Sequence, residues 1–308
     1  MSFHDLTYGA PGDFPERGRV AHGALRPGLY AGTSGIALFL SRMAAATGEP
    51  IFQMVEEGAI RQACEVVHSA SAGFYSGSLG IHYAATEMGR EVDEESVIRS
   101  AAPISKRDVM SGSAGAIVLL LILHRRSRSA NLLEAAVQHG DLLLADAAKD
   151  ESGWSWQTIA ATRNLTGLSH GAAGIGWALA ELYAVTREDR FRAAAMEAFR
   201  YEKSCGNTAE RNWPDFREAE TEYPVAWCHG AAGIGCSRLR AGQILGENEL
   251  LAEGMTALTK VRESMGSLRD YSLCHREFGN ADLLIHASLV LKDEAGLVPA
   301  HAAAEKGH

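Results

Sequence analysis

Apolar positions along the 308 residues fall into two kinds of run that take turns. One kind is mainly apolar and carries few charges: Ile36 to about Ala46, Ile81–Met88, Ala116–His124, Ile175–Tyr183, Ile234–Ile244 and Ala281–Leu291. The other mixes apolar residues with charge at helical spacing: Ile51 to about Ala70, a short run near Ser96–Ala102, Ala130–Lys149, Phe191–Tyr201 and Leu250–Met265. A helix that is apolar all round is stable only when surrounded, whereas an amphipathic one can screen it from water. The alternation therefore predicts an all-α architecture, an α/α toroid with an inner ring of buried helices inside an outer ring of amphipathic ones.

A Gly-rich turn precedes each buried run, at Gly28–Gly35, Gly73–Gly80, Asp108–Gly115, Gly167–Gly176, Trp227–Gly233 and Leu273–Gly279. Measured at Gly35, Gly80, Gly115, Gly174, Gly233 and Gly279, the turns recur after 45, 35, 59, 59 and 46 residues, and the two longest intervals hold inserts at 151–166 and 207–222. Recurrence at this period is the mark of a repeat architecture, here with about six units. Residues 28–308 are expected to form the toroid and residues 1–27, punctuated by Pro11, Pro15 and Pro27, an N-terminal arm. If every inner helix starts at the same end, the turns surround one mouth, and chemical side chains in them share it. The glycines also have a plainer reading as aids to tight helix packing.

Composition narrows the function. With 29 Lys plus Arg against 38 Asp plus Glu the net charge is −9, and the chain has no basic block of five or more, which argues against nucleic acid. The longest strongly apolar run, Ala116–Leu123, is far too short to span a bilayer, and Met1–Asp5 has no signal-peptide pattern, so a cytoplasmic protein is expected. Five cysteines in such a chain read as thiols or metal ligands rather than disulfides.

Two of those cysteines stand out. Cys228-His229 and Cys274-His275 lie at the same phase of successive repeats, and two thiolates with one imidazole make a zinc ligand set that leaves a fourth position for water or substrate. The plain alternative, a small buried hydrophobe, fits Cys64, Cys205 and Cys236. His170 shares the phase of His229 one unit earlier and is a general acid/base candidate or a packed structural histidine. Asp108 could orient such a histidine or cap its own helix, and His229 could donate a proton or simply flank a ligand. Tyr30, Tyr75, Trp154, Trp156 and Trp227 lie near the turns and line a peptide groove or pack; His82, His124, His139 and His286 lie within helical runs and read as structural. The acidic Glu91–Glu95 segment reads as a solvated connection.

These turns, with Trp-Cys-His-Gly-Ala-Ala-Gly at 227–233 and Leu-Cys-His at 273–275, resemble the lanthionine synthetase C-like cyclase family over about Gly28 to Leu291. Tyr201-Glu202-Lys203, Asn212–Arg217 and Gly167–Gly174 look most like the cyclase domain of class II, LanM-type lanthipeptide synthetases, without their large dehydratase domain, so a free-standing or excised cyclase is expected. The resemblance implies a toroid with zinc on Cys228, Cys274 and His275. It implies that a peptide cysteine adds to dehydroalanine or dehydrobutyrine to give lanthionine or methyllanthionine, with His170, Asp108 and His229 handling protons. A dehydrated precursor peptide would be the substrate, and a separate dehydratase or other pathway enzyme a partner. Two departures stand against it: no seventh Gly-rich turn and inner helix follows residue 300, and Arg276 replaces the usual glycine after Cys274-His275. Two further readings are intermolecular addition of glutathione to dehydroamino acids, and a non-catalytic toroid that holds a peptide or partner.

Overall fold

The computed structural model describes residues 25–102, 104–217, 220–266, 271–275, 277–292 and 297–306. Most of the expected N-terminal arm, and Arg276 with its expected role beside the site, thus lie outside the described residues. The described part is mostly helical, with twelve helices and one two-stranded hairpin, and divides into two compact units.

The first unit carries α1 (Thr33–Thr47), α2 (Pro50–Glu65) and α3 (Ser78–Glu87), which pack on one another. The second carries the segment Ala72–Tyr75 and everything from Glu94 onward: α4 (Glu94–Ala101), α5 (Ser113–Ser127), α6 (Ala130–Asp146), α7 (Ala172–Thr186), α8 (Asp189–Cys205), α9 (Ala231–Leu245), α10 (Asn248–Ser264), α11 (Glu277–Leu291) and α12 (Val298–Lys306). Within the second unit α5 packs on α7, α7 on α9 and α9 on α11, while α6, α8 and α10 each pack on the buried helix before them. The alternation expected from the apolar pattern holds there: Ile117, Leu119 and Leu120 of α5, Leu179 and Leu182 of α7 and Leu239 of α9 are fully buried. The amphipathic α8 turns Phe191, Ala194, Ala195 and Ala198 inward and keeps Arg190 and Arg200 outside.

The first and last apolar runs depart from that expectation. Phe39 of α1 is 63% exposed, and on α11 Ile285 and Leu289 are 48% and 74% exposed. An apolar pattern marks what a helix would bury; it does not supply the neighbour that buries it. Other corrections are local. Helices α5, α7 and α9 start three residues before the expected point, because Ser-Ala-Gly or Ala-Ala-Gly already forms the first turn behind a Gly N-cap. Helix α2 stops at Glu65, not near Ala70, where Val66 leaves helical geometry. Glu94 and Glu95 do not belong to a connection but open α4, where carboxylates face the positive end of the helix dipole. Ala148 and Lys149, expected at the end of a helix, instead belong to β1 (Ala148–Asp150), paired antiparallel with β2 (Gly153–Ser155). Helix α12 lies beyond the last expected run and buries Ala300 and Ala303.

The glycines at the ends of the turns serve packing as well as turning. A Cβ on Gly233 would overlap the carbonyl oxygen of Trp227 in its own turn and the Leu168 side chain of the preceding one. Gly174 stands in the same relation to Leu168 and Val109, and Gly279 to Leu273 and Trp227. Since the obstacles are largely backbone, they cannot move aside. Gly233→Ala is expected to cost about 1–3 kcal/mol of stability, in the range of overpacked cores; a thermal melt unchanged from the wild type would refute this reading of the glycine.

His139 of α6 is buried and its Nδ1 lies 3.2 Å from Ser113 Oγ at the start of α5. Burial first, and then the Arg107 guanidinium, push its pKa down to about 4. The unfolded chain, with an ordinary imidazole, binds more protons than the native one between about pH 6.5 and 4, so stability present at neutral pH is lost as pH falls through that window. Melting temperature is expected to drop between pH 7 and 5, and to drop less in His139→Gln; equal pH slopes in the two proteins would contradict the assignment.

Candidate metal centre

The turns of the second unit are tied to one another through backbone hydrogen bonds, in sequence order. Tyr75 N–H donates to Met110 O at 2.9 Å, Val109 N–H to Ser169 O at 3.2 Å, Ser169 N–H to Cys228 O at 3.1 Å, and Cys228 N–H to Cys274 O at 3.3 Å. That row explains why residues at equal repeat phase become neighbours in space. Side chains at one phase meet those at the same phase in the next turn.

Cys228 and Cys274 meet in this way. One ligand atom from each of Cys228, Cys274 and His275 lies within 4.8 Å of the other two, and Cys274 Sγ is 3.8 Å from His275 Nε2. Around a tetrahedral zinc, with bonds of about 2.3 Å to sulfur and about 2.0–2.1 Å to nitrogen, such atoms stand roughly 3.5–3.8 Å apart. A closure of under about 1 Å would bring the three to that spacing, so the residues fit the ion expected from the sequence. Both cysteines are buried, and a hydrogen bond with Cys274, followed by burial, pushes the Cys228 thiol far above the usual range. The other three cysteines take no part: Cys64, Cys205 and Cys236 are separate thiols.

His170 and Asp108 come from adjacent turns. Asp108, 1% exposed, lies beside the histidine, its Oδ2 2.8 Å from His170 Nδ1, and does not cap its helix: its Oδ1 accepts from Ser111 N–H at 2.6 Å in the turn before α5, whose N-cap Gly112 has no side-chain cap. The contact at Nδ1 leaves Nε2 of His170 as the nitrogen available for chemistry, and the histidine side chain keeps a quarter of its surface exposed. The His229 ring stacks at 6.2 Å from that of His170 but is buried beneath the turn, with Nε2 3.5 Å from Ser169 Oγ and Nδ1 3.9 Å from Asp215 Oδ1. Burial, and then the Arg217 charge, hold His229 well below the ordinary imidazole range. Asp215 is itself gripped by Arg217 through both carboxylate oxygens at 2.6–3.1 Å.

The aromatic residues separate. Tyr75 and Trp227 touch edge to face at 5.4 Å beside Cys228, with Leu273 70% exposed next to Cys274. Trp156 instead is a core residue, its Nε1–H bonded to Leu143 O at 2.8 Å, and Trp154 lies under Lys149. Sequence reasoning attached no role to Glu202, Asp215 or Arg217. Each is one charge in a segment otherwise indistinguishable from a solvated face, and only the motif-like Tyr201–Lys203 and Asn212–Arg217 stretches hinted at them.

In the second unit, helices fed by Gly-rich turns pack side by side, and a cluster of two cysteines and one histidine lies where two of the turns meet. The fold is that of nisin cyclase, with a TM-score of 0.70 at 17% identity, covering 89% of this chain and 79% of that one. A sugar epimerase from a ruminal bacterium is less similar, at TM-score 0.51 and 14% identity over 92% of this chain and 78% of its own. The chain belongs to the family of lanthionine synthetase C-like proteins, whose sequence profile matches residues 23–306. A curated relative, the lacticin 481/lactococcin biosynthesis protein LcnDR2 of Lactococcus lactis subsp. lactis, is 26% identical over 194 residues, or 58% of this chain. The chain spans 18% of that protein's length. No helix among the described residues is long and apolar enough to cross a membrane.

Proposed function

We propose that this protein is a zinc-dependent lanthipeptide cyclase, joining cysteine thiols of a dehydrated precursor peptide to its dehydroalanine or dehydrobutyrine residues. The observation that carries the reading is the convergence of Cys228, Cys274 and His275 within 4.8 Å, on the same row of bonded turns as the His170–Asp108 pair. When bound to these three residues, a zinc ion with an open fourth position would keep a peptide cysteine deprotonated at neutral pH.

The chain's own side chains do the rest. Addition forms a bond from sulfur to the β-carbon of the dehydro residue, moves the π-electron pair onto the α-carbon and its carbonyl, and finishes when the α-carbon takes a proton. In this reading His170 moves that proton at Nε2, supported by the Asp108 carboxylate at its Nδ1 and by its being the more exposed of the two stacked imidazoles. His229, buried with Nε2 3.5 Å from Ser169 Oγ, supports the turn from below. Trp227, Tyr75 and the exposed Leu273 offer the peptide an apolar edge beside the thiol site.

The experiment is incubation of the zinc-loaded protein with a dehydrated, cysteine-containing peptide, followed by alkylation of the remaining thiols. Loss of alkylatable thiol with no change in peptide mass is expected. Unchanged thiol would overturn the reading, and a mass gain with glutathione present would point to intermolecular addition instead.

A further inference from the structure

Helix α8 sends one carboxylate inward that neither the core nor the metal centre explains. Glu202 is fully buried, and its Oε1 accepts two backbone hydrogen bonds, from Gly167 N–H at 2.9 Å and from Ala173 N–H at 2.8 Å. Those two donors stand three residues before and three residues after His170. A single oxygen therefore closes the seven-residue loop whose middle residue is the proposed proton carrier.

We propose that Glu202 is the positioning residue for His170, holding the 167–173 loop so that the imidazole stays set against Asp108. The inference rests on the reading of His170 as the proton carrier. Three features make the loop dependent on such a clasp. Gly167 has φ +98°, a left-handed conformation, and a side chain there would collide with Cys228 O, so the loop enters through a strained and crowded point. Ala173 is the second residue of α7, whose N-cap Gly171 offers no side-chain cap of its own, so its N–H needs an acceptor from elsewhere. The imidazole is bonded at one nitrogen to a residue of a different turn, and a shift of about 1 Å at such a contact can cost on the order of 100-fold in rate.

Burying a carboxylate is costly, and the surroundings show how it is tolerated. The fully buried Arg238 of α9 faces Glu202 and is anchored to Glu253 at 2.6 Å and over the Phe199 ring. Burial nevertheless raises the Glu202 pKa to about 7, against the lowering effects of Arg238 and the two N–H donors. An acceptor oxygen at this place is thus needed more than a full negative charge, and glutamine should serve.

The test compares Glu202→Gln and Glu202→Leu in the full chain, by amide hydrogen exchange at Gly167 and Ala173, the hydrogen-bonded Nδ1–H proton signal of His170, zinc content, and kcat and KM on dehydrated peptide. Glu202→Leu, which keeps volume but has no acceptor, is expected to speed exchange at both amides, weaken the His170 signal and lower kcat by about 10- to 100-fold. KM and zinc content should stay at wild-type values, and Glu202→Gln should restore all readouts. A folded Glu202→Leu protein with protected amides and an intact His170 signal overturns the proposal, as does a glutamine variant no better than leucine. Should leucine prevent folding, Glu202→Asp, which withdraws the oxygen by one methylene, must show the same losses, and its behaving as wild type is a refutation. If the wild type does not cyclise peptide, the functional reading falls, while exchange and the proton signal still decide whether Glu202 holds the loop.

Discussion

Cys228→Ala is expected to strip the metal from the protein and abolish peptide cyclisation. Removing groups that merely support a zinc ligand costs about 10- to 100-fold in affinity, and removing a thiolate ligand should cost more than that upper figure. The position offers no substitute: the neighbouring Cys274 and His275 already contribute, and Cys64, Cys205 and Cys236 take no part in the cluster. Zinc analysis after dialysis should fall from about one ion per chain to near none, with thiol consumption falling in parallel. The fold should survive, because Cys228 is tied to its neighbours by backbone bonds to Ser169 and Cys274 that alanine also makes. Full zinc content and activity in this variant would remove the metal centre from the account.

His170→Asn should separate chemistry from metal binding. An amide preserves polarity and approximate size, and its side chain can still reach Asp108, yet it neither gives nor takes a proton at working pH. General acid/base groups contribute typically about 10²–10⁴-fold, so kcat is expected to fall by that amount while zinc content stays at one per chain. Asp108→Asn should move in the same direction by less, because Ser111 N–H keeps an acceptor while the imidazole loses the carboxylate that sets its tautomer. Equal kcat in wild type and His170→Asn would transfer the proton step elsewhere, with His229 a candidate whose ring stacks 6.2 Å away.

Much of the second unit was legible before any coordinates. The run behind Gly115, nearly all aliphatic, and the apolar one behind Gly174 are buried helices, since nothing but a surrounding core tolerates Ile117–Leu121 or Ile175–Leu182. Equal repeat phase foretold that Cys228 and Cys274 would meet, and the Cys228 N–H to Cys274 O bond is the physical reason that phase translates into proximity. Asp108 was readable as either a cap or a partner for histidine, and it is the partner: its other oxygen holds the turn at Ser111 and leaves the helix uncapped. Other features had no signal to read. Glu202 looks like any charge on an amphipathic helix until α8 is seen to turn it inward. The β1–β2 hairpin depends on Gly153 at φ +125° against Tyr201, a contact from another element. The exposed Phe39 and Leu289 sat in patterns that promised burial, because periodicity describes one helix and burial needs two.

The central claim is that two thiolates and one imidazole hold a zinc ion with a place left for a peptide sulfur. X-ray absorption at the zinc edge, on the loaded protein with and without a cysteine-containing peptide, tests it most directly. Two sulfurs at about 2.3 Å with lighter nitrogen and oxygen ligands, changing to three sulfurs when peptide is added, is the predicted result. A first shell that peptide leaves unchanged, or one already closed by four protein ligands, would contradict it.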